Sequence, residues 1–158
     1  MPQIIEVGTA DLAVAGPGYT LTTGGVGSCV VVCLYDETHK IGALCHIMLP
    51  EHPAGSELNP LRFADTAIPL ALEKLAEMGA DTSQLTAELF GGASMFQNLG
   101  VFVNHIGEQN IAAVQRILGG HNIPITRMDV GGTSGRSVQF PIDAGAATPS
   151  QAIKENKT

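Results

Sequence analysis

The sequence contains no tryptophan, few aromatic residues and few basic ones. Of its 158 residues 4% are aromatic, Lys and Arg total 8, and Asp and Glu total 15, so the formal net charge is −7. An acidic chain binds poorly to nucleic-acid phosphates and to anionic membrane surfaces. The shortage of aromatic rings also argues against a platform on which nucleic-acid bases would stack. We therefore expect neither nucleic-acid binding nor direct membrane insertion.

Long apolar runs and the features of a secretory leader are missing as well. The longest apolar run, residues 30–35, is far shorter than the ~20 residues that a membrane-spanning helix needs. Residues 1–15 lack the basic start and apolar stretch of a signal peptide. The three cysteines are an odd and low count for a disulfide framework, which favours reduced thiols. These features predict a soluble, cytoplasmic protein.

Glycine and proline are abundant and divide the chain into short elements. The 19 Gly and 9 Pro residues indicate many tight turns. Short β-branched runs predict five strands, at residues 30–35, 41–49, 86–90, 123–130 and 137–142. The first two strands form a predicted hairpin, and the last two form a second one around Gly131 and Gly132.

Two helices are predicted between these strands. The first begins at Asn59 and Pro60, residue types that favour a helix start, and runs to about Met78 with Gly79 as its stop. Pro69 lies inside it and is expected to bend it. The second helix covers residues 107–118.

The order of these elements predicts the α+β class, as a single-domain α/β sandwich with a mixed sheet. The predicted domain covers residues 1–142. Residues 143–158 are weakly patterned and are predicted to form a loosely held tail, in which a short helix or strand is still open.

A glycine-rich segment before Cys29 is the most informative part of the sequence. Residues 24–28 read Gly-Gly-Val-Gly-Ser, and glycines let the backbone turn successive N–H groups toward one point. Such N–H groups, near Gly27 and Ser28, can hold an oxyanion beside a nucleophilic thiol.

The predicted first hairpin brings Cys29 to His46. If its turn is centred between Glu37 and Thr38, the two residues face each other with Cβ atoms ~4.5–5.5 Å apart. An imidazole at that distance can take a proton from a thiol. A slip of one residue would put them on opposite faces of the sheet. The alternative, a small core cysteine and a satisfied buried histidine, stays open on spacing alone.

The other polar residues of these segments give weaker indications. Cys29 and Cys33 lie about 13 Å apart along a strand, too far for one zinc ion, so Cys33 and Cys45 are interpreted as core residues. The hydroxyl of Thr23 could orient an imidazole ring or cap a turn. Arg136 could bind a carboxylate or pair with a neighbouring acidic residue.

Five short segments follow one another within residues 5–142. They read Gly-Ser-Cys-Val at 27–30, His-Ile-Met-Leu-Pro at 46–50, Phe-Ala-Asp-Thr at 63–66, Gly-Gly-Ala-Ser-Met-Phe at 91–96 and Gly-Gly-Thr-Ser-Gly-Arg-Ser-Val at 131–138. The first motif alone is weak, and from composition the fourth indicates only a strand-to-loop corner. The ordered set resembles the CheD family, the chemoreceptor glutamine deamidases of bacterial and archaeal chemotaxis.

The resemblance implies a thiol amidohydrolase that converts selected chemoreceptor glutamine side chains to glutamate without a metal or organic cofactor. It matches the nucleophile to Cys29, the active-site histidine to His46 and the third active-site residue to Thr23. It also implies a fold similar to that of the cysteine-dependent deamidase toxins, such as the cytotoxic necrotizing factor catalytic domain. The implied partners are the cytoplasmic domain of a chemoreceptor, as substrate, and a CheC-type phosphatase.

Two other functions fit the same residues. The chain could be a regulatory binding partner of a CheC-type phosphatase and of receptors, with weak catalysis. It could also be a different thiol hydrolase, such as a peptidase or an esterase acting on receptor methyl esters, since the thioester intermediate would be the same. The residues alone do not separate these leaving groups.

Overall fold

A computed structural model describes residues 2–94 and 105–151. The strands in these ranges are β1 (Gln3–Glu6), β2 (Asp11–Ala15), β3 (Tyr19–Val26), β4 (Val30–Asp36), β5 (Ile41–Ile47), β6 (Thr86–Gly91), β7 (Ile125–Val130), β8 (Arg136–Pro141) and β9 (Thr148–Gln151). The helices are α1 (Ala64–Met78) and α2 (Ile106–Gly120). The predicted α+β class is confirmed.

The strands form two mixed sheets, where the sequence predicted one. The first has the order β1-β3-β8-β9, with β1 parallel to β3. The second has the order β2-β5-β4-β6-β7, with β7 parallel to β6. One apolar cluster fills the space between the sheets, and another joins the opposite face of the second sheet to both helices. The molecule is therefore a three-layer arrangement of sheet, sheet and helices.

The central strands β4 and β5 are buried along their whole length. Even-numbered residues of β4, such as Val32, pack toward the helices, and odd-numbered ones, such as Val31, pack toward the first sheet. Both faces are therefore apolar, which explains why this stretch of sequence is a continuous apolar run rather than an alternating one.

The predicted second hairpin is wrong, because its strands lie in different sheets. β7 pairs with β6 and β8 pairs with β3. The helix between β6 and β7 allows the return crossing that a parallel pair requires. The chain then passes to the other sheet at Gly131 and Gly132, whose φ angles are 85° and 73°.

The N-terminal strands β1, β2 and β3 were not predicted. They are short or interrupted by glycine, and β3 itself contains Gly24 and Gly25, with an irregularity in its pairing between Thr23 and Val26. Gly25 has a φ of 64°. The glycines of the segment before Cys29 therefore lie largely within a distorted strand.

The first helix is predicted correctly at its C-terminal end only. Gly79 follows Met78 with a φ of 105°, and its N–H donates to the carbonyls of Leu75 and Ala76. At the other end, Asn59 caps a separate 3-10 turn, and α1 begins at Ala64.

Neither helix has the length and apolar character that crossing a bilayer requires.

The segment after residue 142 contributes a strand to the first sheet. β9 pairs antiparallel with β8. Just before it, the N–H of Ala147 donates to Glu88 over 2.7 Å, and Arg127 donates to the Ala147 carbonyl. Both backbone groups of Ala147 are thus bound by the second sheet. Residues 152–158, the end of the predicted tail, lie outside the described residues.

Candidate active site

Cys29 lies in a bend, residues 27–29, between β3 and β4, and is partly exposed. The carbonyl of Gly27 accepts from the N–H of Ala93 over 2.9 Å, and the carbonyl of Cys29 accepts from the N–H of Gly92 over 2.7 Å. In the part of the chain that the structure describes, the N–H groups of Gly27 and Ser28 have no acceptor. The carbonyls of the bend are fixed while these donors are left available.

Gly91 allows the bend to lie against the end of β6. Its φ is 105°, and a Cβ built on it would come within 2.3 Å of the Cys29 carbonyl oxygen. A larger residue would therefore displace the backbone of Cys29. Gly91 ends β6 as predicted, and the motif at residues 91–94 positions this bend. Met95 and Phe96, which complete the motif, lie outside the described residues.

The predicted pairing of Cys29 with His46 is wrong by two residues of register. His46 pairs with Val31, so the hairpin turn is centred between Thr38 and His39. The Asp36 side chain accepts from the N–H groups of both turn residues, and Lys40 takes a φ of 54°, which extends the turn. Since the shift is an even number, His46 stays on the predicted face.

His46 is completely buried on the inter-sheet side of β5. Its strand lies between β2 and β4, where His46 pairs with Asp11 on one side and Val31 on the other. The N–H of Ala10 also donates to the His46 carbonyl over 2.9 Å. Burial lowers the pKa of His46 below its ordinary value of 6.5. The imidazole is therefore neutral at neutral pH.

The structure brings Thr23 and His46 together. Thr23 Oγ1 lies 2.7 Å from His46 Nδ1 and 2.6 Å from the Val7 carbonyl oxygen. A carbonyl oxygen only accepts, so the single hydroxyl proton is donated to Val7. The hydroxyl oxygen must then accept from Nδ1–H, which fixes the tautomer and leaves the lone pair on Nε2.

His46 Nε2 is buried and has no hydrogen-bond partner among the described residues. A neutral imidazole with an unused lone pair is the form that acts as a base. From the sequence, the Thr23 hydroxyl was expected either to orient an imidazole or to cap a turn. In the structure it is hydrogen-bonded to the His46 imidazole. Val7, whose carbonyl orients the hydroxyl, gave no signal in the sequence.

The three thiols lie in different environments. Burial raises the pKa of the Cys29 thiol above its ordinary value of 9.0, and the N–H of Cys29 partly offsets this. Cys33 faces the first sheet and Cys45 faces the helices, both in apolar clusters, so their interpretation as core residues is confirmed. Burial raises the pKa of Cys45 to about 12. Cys29 is the most accessible of the three.

Two further polar residues are buried near these segments. Arg136 donates through Nη2 to the Gly131 carbonyl over 2.7 Å, and its Nε lies 3.8 Å from Asp129. Arg136 therefore pairs with a neighbouring acidic residue, which is one of its two predicted roles. Asn110 of α2 was not identified from the sequence as a candidate site residue. It lies four residues before Val114 on the buried face of the helix. Over residues 2–94 and 105–151, no group of His, Cys, Asp and Glu could hold a metal ion.

A family model and the curated relatives of this chain agree on one family. The family model described as "CheD chemotactic sensory transduction" matches residues 48–151. The probable chemoreceptor glutamine deamidase CheD of Clostridium novyi is 45% identical over 143 residues, which are 89% of this chain and 88% of that protein. The chemoreceptor glutamine deamidase CheD of Halalkalibacterium halodurans is 42% identical over 147 residues, with 89% and 88% covered.

A more distant archaeal relative matches over a similar share of the chain. The probable chemoreceptor glutamine deamidase CheD of Pyrococcus abyssi is 38% identical over 146 residues, which cover 92% of this chain and 90% of that protein. The crystal structure of Bacillus licheniformis hypothetical protein YfiH aligns with a TM-score of 0.47 and 14% identity, over 76% of this chain and 49% of that one. The similarity to deamidase toxins stays a prediction.

Proposed function

The chain belongs to the CheD family, and from this premise we propose that it is a protein-glutamine deamidase. It converts specific glutamine side chains of chemoreceptors to glutamate and releases ammonia, which regulates chemotaxis. Its relatives carry the name of this activity. The proposed nucleophile is Cys29, the proposed base is His46, and Thr23 is the residue that orients the base.

The first half of the reaction forms a thioester. His46 Nε2 accepts the Cys29 proton while the sulfur attacks the carboxamide carbon of the substrate glutamine. The N–H groups of Gly27 and Ser28 donate to the oxyanion that develops. The imidazolium then protonates the departing nitrogen, so that ammonia leaves and the acyl group remains on sulfur.

The second half hydrolyses the thioester. Neutral His46 accepts a proton from water, and the resulting hydroxide attacks the thioester carbon. The carbon–sulfur bond breaks, the Cys29 sulfur recovers a proton from the imidazolium, and the product is the glutamate side chain. One water is consumed and one ammonia is released for each glutamine, and neither step requires a cofactor.

The observation that carries this proposal is the hydrogen-bonded series from Val7 through Thr23 to His46. It supports a neutral histidine with Nδ1–H bound and Nε2 available, which is what both proton transfers need. The position of Cys29, two residues before the strand partner of His46, supports the choice of nucleophile.

The proposal is tested by incubating the protein with a purified chemoreceptor cytoplasmic fragment. Ammonia release is expected from a fragment that carries glutamine at the modified positions, in the presence and absence of a CheC-type phosphatase. Methanol release from a methyl-esterified fragment distinguishes esterase activity. Tight binding of the fragment or the phosphatase without either product would instead favour the regulatory partner function.

Replacing Thr23 by valine is expected to lower kcat by about ten- to a hundredfold, since the His46 Nδ1–H would then be buried without an acceptor. Thr23→Ser keeps the hydroxyl and is expected to stay within a few fold of the wild type. Both variants are measured by ammonia release. Equal activity of Thr23→Val and Thr23→Ser at equal folded fractions would contradict the role of the hydroxyl.

The alkylation of Cys29 by iodoacetamide is expected to keep rising with pH beyond 9.0, the ordinary thiol pKa. Burial raises the Cys29 pKa and lowers that of His46, so both groups are neutral in the resting site. A Cys29→Ala variant supplies the background from the two buried thiols. A rate that levels off below pH 7 would indicate a preformed thiolate–imidazolium pair and contradict this expectation.

A further inference from the structure

Asn110 is a completely buried polar residue on the inner face of α2. Its amide nitrogen Nδ2 lies 2.9 Å from the Ser28 carbonyl oxygen and 2.9 Å from the Met48 carbonyl oxygen. Both neighbours can only accept, so the nitrogen of the amide faces them and both of its hydrogens are used. One side chain therefore links two segments that are distant in sequence.

These two segments carry the reacting groups of the proposed mechanism. Ser28 directly precedes Cys29, and Met48 follows His46 by two residues, just after the end of β5. Among the described residues, three donors bind the carbonyls of residues 27–29: two are backbone N–H groups, and the third is the Asn110 side chain. Asn110 alone among these donors also binds the His46 segment.

The helix that carries Asn110 is itself held in place. Gly107, one turn earlier, packs so closely that a Cβ would lie 2.5 Å from the carbonyl oxygens of Gly92 and Ala93. These are the residues whose N–H groups bind the Cys29 bend. The start of α2 therefore packs directly on the backbone of the residues that bind the Cys29 bend.

The rest of the Asn110 environment does not explain an amide. Its helix neighbours on the buried side are Ala113 and Val114, and its Oδ1 is buried without a partner among the described residues. An apolar side chain would avoid the unpaired Oδ1 but would leave the Ser28 and Met48 carbonyls without the donors they have now. The two donated hydrogen bonds are what distinguish asparagine here.

We propose that Asn110 is a positioning residue that holds the Cys29 bend and the His46 strand at the separation at which Nε2 takes the thiol proton. This inference rests on the proposed function, because it concerns the same pair of groups. Asn110 contacts neither reacting group directly and acts through the Ser28 and Met48 carbonyls.

The test uses Asn110→Leu, which keeps the branched shape and the number of side-chain heavy atoms and removes both hydrogen bonds, beside Val114→Ala as a control for lost stability on the same buried stripe. At equal folded fractions, Asn110→Leu is expected to lower kcat on the receptor fragment at least about tenfold, with KM changed less than about threefold. Val114→Ala is expected to keep kcat. Equal kcat values for the two variants would overturn the proposal.

A second readout needs no receptor. His46→Gln is introduced into the wild type, Asn110→Leu and Val114→Ala, and iodoacetamide alkylation of Cys29 is measured near neutral pH, where the neutral imidazole takes the thiol proton as the sulfur attacks the reagent. The loss of rate caused by His46→Gln is expected in the wild type and in Val114→Ala but not in Asn110→Leu. If the loss persists in Asn110→Leu, the positioning role is wrong. If His46→Gln has no effect even in the wild type, the proposed Cys–His pair fails, and the positioning role fails with it.

Discussion

Cys29→Ala is expected to reduce deamidation of the receptor fragment by at least about a thousandfold, because removal of a nucleophile can lower kcat by about 10⁶-fold. No other group can form the thioester, because Cys33 and Cys45 are buried in separate apolar clusters. Cys29 is partly exposed, so its replacement by alanine is expected to change the free energy of unfolding by less than about 1 kcal/mol. Activity is measured by ammonia release and folding by thermal unfolding.

Cys45→Ala is the matched control for this experiment. It also removes a thiol group. This thiol lies one residue before His46, on the side of β5 that packs on the helices. We expect it to destabilise the protein more than Cys29→Ala does and to keep its turnover at temperatures where it is folded. If Cys29→Ala turned over like the wild type, another nucleophile would have to be found.

His46→Gln is expected to lower kcat by about a hundred- to ten-thousandfold, the contribution of a positioned general base. Glutamine fills a similar space and can still donate toward Thr23, but it has no basic nitrogen to take the Cys29 proton. The rate that remains is expected to rise with pH as the thiolate forms without assistance. Steady-state ammonia release between neutral and alkaline pH measures both effects.

His121→Gln is the corresponding control, since His121 is exposed at the C-terminal end of α2. We expect its pH profile to match that of the wild type. A His46→Gln protein with wild-type kcat and pH dependence would show that the imidazole takes no part in proton transfer.

The fold was predictable from the sequence where local signals were strong. β4, β5 and β6 appear as short apolar runs, and Gly79 ends α1 where a left-handed residue is needed. The division into two sheets was not predictable, because the pattern of β7 and β8 shows that they are strands but not which neighbours they pair with. β3 was not predicted because it contains Gly24 and Gly25, and glycine is depleted in strands.

The site was predictable only in part, for a similar reason. The face of His46 could be derived from a hairpin, but its exact partner depended on the left-handed turn residue Lys40, which the sequence does not reveal. The Val7 carbonyl and the Asn110 amide act across the tertiary structure. No spacing rule connects Val7 to Thr23, or Asn110 to Ser28, because each pair is joined only when sheets and helix pack.

The central claim, that Cys29 deamidates receptor glutamines, is tested most directly by peptide mass spectrometry of a chemoreceptor cytoplasmic fragment. The fragment is incubated with the wild type, with Cys29→Ala or without enzyme, and every peptide is searched for conversion of amide to acid. We predict conversion at a few discrete glutamines with the wild type alone. Equal conversion by wild type and Cys29→Ala, or none by a folded wild type that binds the fragment, would contradict the account.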